Sequence, residues 1–179
     1  DFVGDEPFAA LLADDIVDAE KPALLQMVEV FEKYNAPVIA TMQIKGEAIS
    51  RFGVIDAEEV EPNVFLIKDM VEKPAYTDAP SDLAIIGRYI FTPDIFDAIE
   101  RTTPGAGGEI QITDAMRLLL KVRPFYAVKL EGKRHDAGPF GSADVDDNAA
   151  VVNQRRAAGT EVPLGDAKIG PRFAAPNFL

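Results

Sequence analysis

The sequence contains no cysteine among its 179 residues. Disulfide bonds, thiolate metal sites and cysteine nucleophiles are therefore excluded, and the composition fits a cytoplasmic protein, the location we expect. Histidine is almost as scarce, because His135 is the single one, so a zinc site built from several histidines is also excluded. Long apolar runs are missing too. Stretches such as FAALLA and LAIIG are far shorter than the roughly 20 residues of a membrane-spanning helix, and no charged-then-apolar leader opens the chain.

Positive charge is in short supply, and the formal net charge is −12. An acidic chain repels nucleic acids and anionic membranes at long range, so we expect neither as a partner. A function that handles phosphates would therefore need its positive charge supplied locally. Either a bound metal ion or a few placed lysines and arginines would provide it.

Strand and helix patterns alternate along the chain. Residues 7–15 form an apolar run that ends in Asp14 and Asp15, which predicts a buried parallel strand. Residues 20–37 place apolar side chains at helical spacing, with Asn35 and Pro37 closing the helix, and residues 36–44 predict the next strand. Further strands are predicted near 52–56, 64–71, 83–92 and 124–132, with helices at 92–102 and at 113–122, where Thr113 is a possible N-cap. The pattern predicts an α/β fold.

Charged residues follow several of the predicted strands. Asp14 ends the first strand, Glu72 and Lys73 end a later one, and Asp136 follows the last. Ligands of open α/β sheets bind beyond the C-terminal ends of strands, and Mg²⁺ is often held there by one or two carboxylates. Glu72 and Lys73 would point to opposite faces of an intact strand, so they can share a ligand only if the strand breaks. Pro74 predicts that break.

Five segments of the sequence carry a resemblance to a known family when they are taken together in order. They are FAALLADDIV, RFGVID, VEKPAYTDAPSDLAIIGRYIFTPDIF, TPGAGGEIQITDAM and EGKRHDAG. In this order and at this spacing they resemble the sugar-phosphate nucleotidyltransferases, and among these the bacterial UTP–glucose-1-phosphate uridylyltransferases. The resemblance covers residues 1–138. It implies part of a doubly wound, Rossmann-like mixed sheet, an enzyme that joins glucose 1-phosphate to UTP to give UDP-glucose and pyrophosphate, and Mg²⁺ as the cofactor.

The same resemblance implies a catalytic role for three charged residues of this sequence. Asp14 and Asp136 are expected to bind the metal, and Lys73 is expected to hold the phosphate of the sugar. Neighbouring acid and base side chains suit the two ends of a hexose phosphate, because hydroxyls need acceptors and a phosphate needs a cation.

Further residues are implied as binding the sugar. Glu72 is expected to accept hydrogen bonds from its hydroxyls, while Gly53 and Gly87 let the backbone approach the ring. Glu109 and Gln111 belong to a segment expected beside the sugar. Taken one at a time, each of these features has an ordinary structural explanation, such as a helix cap for Asp14 or relief of backbone strain for the two glycines.

The family's glycine-rich loop with Thr-Arg, followed later by a Pro-Lys-Glu segment, has no counterpart in these residues. We therefore expect residues 1–138 to form the sugar- and metal-binding part of the domain without its N-terminal nucleotide-binding half. Residues 139–179 are expected to be an atypical tail, partly helical or irregular. A sheet lacking that half would expose an edge, so we expect a homo-oligomer. Two alternatives stay open: an inert sugar-phosphate-binding or subunit-interaction fragment, and a related enzyme that uses dTTP or another sugar phosphate.

Overall fold

A computed structural model describes residues 3–105 and 108–136. The described residues form eight strands and three helices, with 3₁₀ turns at Gly46–Arg51 and Tyr76–Asp78. In chain order they are β1 (Phe8–Leu11), β2 (Asp15–Asp18), α1 (Ala23–Tyr34), β3 (Val38–Gln43), β4 (Gly53–Glu61), β5 (Val64–Glu72), β6 (Leu83–Phe91), α2 (Asp94–Arg101), α3 (Ile112–Leu120), β7 (Tyr126–Lys129) and β8 (Lys133–Asp136). None of the helices in these two ranges is long and apolar enough to cross a membrane.

Six strands form one mixed sheet in the order β1-β6-β3-β7-β5-β4. The β3–β7 pair is parallel, whereas the β1–β6, β3–β6, β5–β7 and β4–β5 pairs are antiparallel. A separate antiparallel ribbon joins β2 to β8. The predicted mixed α/β sheet is thus confirmed.

Helices cover both faces of the sheet because side chains alternate along its strands. On β3, Val38 and Ala40 pack in a cluster with Met27 and Val30 of α1. Ile39, between them, belongs to the opposite cluster, which contains the buried apolar side chains of α2 and α3. Helix α1 ends where Asn35 takes a left-handed conformation (φ 49°) and its amide donates to the Phe31 carbonyl.

The first strand differs from the sequence prediction in direction and in extent. β1 is not a buried parallel strand, because it runs antiparallel to β6 and alternates between half-buried and exposed residues. It ends at Leu11, so Asp14 lies in the turn after it and Asp15 opens β2, and neither acid closes β1. An apolar run does not report the direction of the neighbouring strand or whether the strand lies at the end of the sheet, and β1 is the end strand of the order, beside β6. β1 and β3 both flank β6 and are therefore parallel to each other, as the predicted strand–helix–strand unit requires.

The structure also differs from the prediction for Thr113. Thr113 does not cap α3, since that helix begins at Ile112 with Gln111 preceding it. The tail predicted at residues 139–179 lies outside the described residues.

Candidate functional site

Glu72 and Lys73 lie where β5 breaks. The strand ends at Glu72, and Lys73 takes a left-handed conformation with φ 45°. The amide of Lys73 donates to the Phe52 carbonyl at 3.1 Å, which fixes the turn. In an extended strand the two side chains would point to opposite faces of the sheet. In this turn they do not, and Lys73 Nζ lies 3.8 Å from Glu72 Oε1. The Lys73 side chain is 61% exposed and that of Glu72 is 21% exposed, so the cation reaches solvent while the carboxylate is recessed.

The carboxylate of Glu72 is held in place by two neighbours. Thr113, on the first turn of α3, donates a 2.6 Å hydrogen bond from Oγ1 to Glu72 Oε2. Gly53 opens β4 directly opposite Glu72 in the β4–β5 register. A Cβ atom at Gly53 would lie 3.0 Å from Glu72 Oε2 and 3.2 Å from Thr113 Oγ1. The site therefore has room for glycine at this position and not for a larger residue without movement of the carboxylate.

Gly87 divides one edge of β6 into two parts. Before it, Ala84 pairs with Val54 of β4, and after it, Arg88 pairs with Leu11 of β1. Gly87 itself has φ +57°, a conformation that L side chains rarely adopt. A Cβ atom there would lie 2.7 Å from Leu12 Cδ1 and 3.1 Å from Asp15 Oδ2. The backbone of β6 thus approaches closely to the start of β2.

The β2–β8 ribbon brings two of the predicted acidic positions together. Asp15 lies opposite Asp136 in its register, and Asp14 directly precedes Asp15. Asp15 is buried, and its carboxylate forms an ion pair with Arg134 Nε, while its carbonyl oxygen accepts a hydrogen bond from Arg88. Asp14 is exposed. Of these two neighbouring acids, Asp14 is thus the one that faces solvent, because Asp15 is engaged by an arginine.

Mg²⁺ takes one or two carboxylates and fills its other positions with water and phosphate oxygens, so two acidic positions are the number that such a site needs. In residues 3–105 and 108–136, no group of three or more acidic, histidine or cysteine side chains is placed to hold a metal. A site at the ribbon would therefore rely on two carboxylates and on oxygens from a ligand.

Two aromatic residues connect the Glu72–Lys73 turn to the β2–β8 ribbon. The carbonyl oxygen of Phe52 accepts the amide of Lys73, and the ring of the same residue lies 5.1 Å from the Arg134 guanidinium carbon. Burial raises the pKa of the Tyr89 hydroxyl to about 12, and the nearby carboxylates of Glu72 and Asp15 add to that rise. Phe52 thus contacts both parts directly, and the two parts form one region.

Glu109 and Gln111 lie on the segment that leads into α3. Glu109 is exposed, and its carbonyl oxygen accepts the amide of Gly105 at 2.9 Å. In the part of the chain that the structure describes, neither side chain hydrogen-bonds to Glu72 or Lys73. The contact from this segment to Glu72 is made by Thr113, two residues further on.

Sequence reasoning missed Thr113, Asp15, Arg134 and Tyr89 as parts of this region. For Thr113 a signal was present, since it lies within the GEIQITDA segment, but its position near a helix start suggested a cap. For Arg134 no local signal exists, because its partner is 119 residues away in the chain.

A wide cavity of about 700 Å³ lies elsewhere, between β5, α2 and α3. Its wall includes Lys68, Arg101 and Lys121, and contains none of the residues predicted for the site. Cavity volume alone therefore does not point to Glu72 and Lys73; their local geometry does.

Comparison with known proteins agrees with this architecture. A family model described as nucleotidyl transferase matches residues 1–150. The chain is 48% identical over 137 residues to a UTP–glucose-1-phosphate uridylyltransferase of Bacillus subtilis (strain 168), covering 76% of this chain and 47% of that protein. It is 49% identical over 138 residues to the Pseudomonas aeruginosa protein of the same name, covering 76% and 50%. The chain thus spans about half the length of the curated relatives it matches.

Solved structures give the same result. A UDP-glucose pyrophosphorylase complexed with UDP-glucose superposes with a TM-score of 0.73 at 46% identity, covering 76% of this chain and 52% of the other. An apo UDP-glucose pyrophosphorylase superposes with a TM-score of 0.76 at 43% identity, covering 86% and 57%.

Proposed function

This chain belongs to the nucleotidyl transferase family, and we propose that it supplies the sugar-phosphate and metal side of a UTP–glucose-1-phosphate uridylyltransferase site. The observation that carries the proposal is the break after β5, where Lys73 Nζ lies 3.8 Å from Glu72 Oε1. An acceptor and a cation at this separation match the two chemical ends of a hexose phosphate. The names of the relatives supply the choice of glucose 1-phosphate and UTP.

The protein groups have separate roles in binding the sugar. Glu72 accepts hydrogen bonds from the hydroxyls, and the exposed ammonium group of Lys73 holds the phosphate. Gly53 and Gly87 keep the backbone close to the ligand, because a side chain at either position would occupy the space beside Glu72 or Asp15. Glu109 and Gln111 lie on the approach to the same space.

The reaction is a direct in-line displacement. An oxygen of the sugar phosphate forms a bond to the α-phosphorus of UTP, and the bond from that phosphorus to the oxygen bridging the β-phosphate breaks. Pyrophosphate leaves with that oxygen and the electron pair, and no covalent enzyme intermediate forms. The protein contributes by positioning the sugar phosphate and by neutralising its charge through Lys73.

Asp14 and Asp136 are the residues that would hold Mg²⁺. The β2–β8 register supports this assignment, because it brings both positions to the same end of the ribbon. When bound, the metal ion would neutralise phosphate charge that a chain of net charge −12 otherwise repels.

Isothermal titration calorimetry with glucose 1-phosphate tests the binding part of the proposal. We expect Mg²⁺-dependent binding that is lost in Glu72→Ala and in Lys73→Ala. Binding that is indifferent to both substitutions, or no binding by the wild-type chain, would refute it and leave the inert-fragment alternative.

Turnover is the second test. We expect little UDP-glucose from the 179-residue chain alone, because these residues contain no glycine-rich Thr-Arg loop to hold the nucleotide. UDP-glucose formation at the rate of a complete enzyme would contradict this expectation. Parallel assays with dTTP and with other sugar phosphates separate the proposed enzyme from a related one.

We also propose that the chain is a cytoplasmic homo-oligomer. The absence of cysteine supports the location. The exposed side chains of Leu11, Leu12 and Ile16, at and beyond the end strand β1, support association. Light scattering after size-exclusion chromatography gives the molar mass, and a mass of 19.4 kDa, that of one chain, would refute the oligomer.

A further inference from the structure

Thr113 is a buried polar residue whose hydroxyl group hydrogen-bonds to a distant strand instead of to its own helix. It lies in the first turn of α3, and 3% of its surface is exposed. A helical threonine commonly turns its hydroxyl back to a carbonyl oxygen three or four residues earlier. Here Oγ1 donates to Glu72 Oε2 at 2.6 Å, to a residue 41 positions away.

This hydrogen bond divides the two carboxylate oxygens of Glu72 between different neighbours. Oε2 receives Thr113 and faces the backbone of Gly53, where a Cβ atom would come within 3.0 Å of it. Oε1 faces Lys73, whose Nζ is 3.8 Å away. Oε2 is thus hydrogen-bonded within the protein, and Oε1 lies on the side of the Lys73 ammonium group.

We propose that Thr113 is a positioning residue for Glu72, and that it sets both affinity and selectivity for the sugar. By binding Oε2, it fixes the plane of the carboxylate and directs Oε1 toward one hydroxyl of the sugar ring. Without the hydroxyl of Thr113, the carboxylate rotates and loses its preference for one hydroxyl geometry. This inference rests on the proposed function, since it assumes that Glu72 accepts hydrogen bonds from a sugar.

The test compares three variants in the full 179-residue chain. Thr113→Val keeps the shape of the side chain and removes the donor, and Thr113→Ser keeps the donor. Thr113→Ala removes the donor with a smaller side chain, and it replaces the valine variant if that variant does not fold. Urea unfolding reports which variants are folded.

Binding is measured by calorimetry with glucose 1-phosphate, galactose 1-phosphate and inorganic phosphate. A Glu72 carboxylate that is no longer positioned loses its hydrogen bond to the sugar, which is a bond to a charged group. We therefore expect glucose 1-phosphate to bind about tenfold or more weakly to Thr113→Val. The ratio between the two epimers should fall, because the carboxylate is no longer oriented. Inorganic phosphate, which engages Lys73 alone, should bind as in the wild type, and Thr113→Ser should restore both affinity and epimer ratio.

Unchanged glucose 1-phosphate binding in Thr113→Val would overturn the proposal, as would a serine variant as weak as the valine one. An equal loss for inorganic phosphate would also overturn it, because it would indicate general damage to the site. The ¹³C chemical shift of the Glu72 carboxyl carbon gives a readout that needs no sugar. We expect it to change in Thr113→Val and to return in Thr113→Ser, and an unchanged shift refutes positioning. Absence of sugar-phosphate binding in the wild type would instead refute the proposed function, and with it the selectivity part of the inference.

Discussion

Lys73 Nζ lies 3.8 Å from Glu72 Oε1, although the two residues are neighbours at the end of a strand and would point to opposite faces if the strand continued. The left-handed conformation of Lys73 is what brings them to the same side. An ion pair at this distance whose lysine is exposed contributes little to stability. Because the pair adds little folding free energy, we attribute the unusual backbone conformation of Lys73 to the proposed role in ligand binding.

Replacing Lys73 by methionine should remove the phosphate-binding cation while keeping most of the length of the side chain. We expect Lys73→Met to weaken glucose 1-phosphate binding by about tenfold or more, because a hydrogen bond to a charged group is lost. Lys68→Met is the matched control, since Lys68 lies exposed on β5, the strand that ends just before Lys73, in a salt bridge with Glu58. Calorimetry of both variants checks this, and an equal effect in the two would contradict a specific role for Lys73.

A methyl group at Gly53 should displace the carboxylate of Glu72. In Gly53→Ala the new atom would lie 3.0 Å from Glu72 Oε2 and 3.1 Å from Ile85 Cδ1, so at least one neighbour must shift. We expect glucose 1-phosphate affinity to fall by about tenfold, comparable to the loss of one charged hydrogen bond.

The control for this substitution is Gly46→Ala. Gly46 has φ +72° with no atom near the position of a Cβ, so alanine there costs about 1 kcal/mol of folding free energy through strain alone. Binding should be unchanged in this variant. Wild-type affinity in Gly53→Ala would show that Glu72 is not held as tightly as the contact distances imply.

The ion pair between Asp15 and Arg134 should matter more for stability than the pair between Asp69 and Arg117. The first pair is largely buried, with side chains 9% and 16% exposed, whereas the second is 40% and 51% exposed. Asp15→Asn removes the carboxylate charge that faces the largely buried side chain of Arg134 and should cost on the order of 3 kcal/mol. Asp69→Asn should cost less than about 1 kcal/mol. Urea unfolding without metal measures both, and equal losses would contradict the difference in burial.

Acid should weaken the fold partly through Asp69. Hydrogen bonds from Arg117 hold the pKa of Asp69 below its usual value. A lowered folded pKa means that the stabilisation is fully present above the unfolded value of about 3.9 and is lost as the pH falls through the folded pKa. In both Asp69→Asn and Arg117→Gln, the free energy of unfolding should therefore change less between pH 6 and pH 2 than in the wild type. A full wild-type change in either variant would contradict this.

The sequence predicted those features that depend on local pattern. The end of β5 at Glu72 follows from Pro74, and the helix end at Asn35 follows from the left-handed conformation that asparagine tolerates. The juxtaposition of Glu72 and Lys73 was predicted because a break was the one way for neighbours to share a ligand. Strand order and the direction of β1 were not predictable, since they depend on which strand becomes the partner.

Contacts between distant segments account for the rest of what was missed. Thr113 has the properties of a helix cap when only its neighbours are considered, and its bond to Glu72 exists because α3 packs against β5. Asp15 and Asp14 are indistinguishable in the sequence, yet one is buried against Arg134 and the other faces solvent. Tertiary packing decides between such neighbours, and single-sequence patterns do not contain it.

The central claim is that Glu72 and Lys73 bind the two ends of one ligand. The most direct test is calorimetry of the wild-type chain in Mg²⁺ with glucose 1-phosphate, with glucose and with inorganic phosphate. We predict that glucose 1-phosphate binds at least about tenfold more tightly than glucose or inorganic phosphate, because both ends are engaged at once. Glucose 1-phosphate that binds no more tightly than inorganic phosphate, or does not bind, would contradict binding of both ends by Glu72 and Lys73.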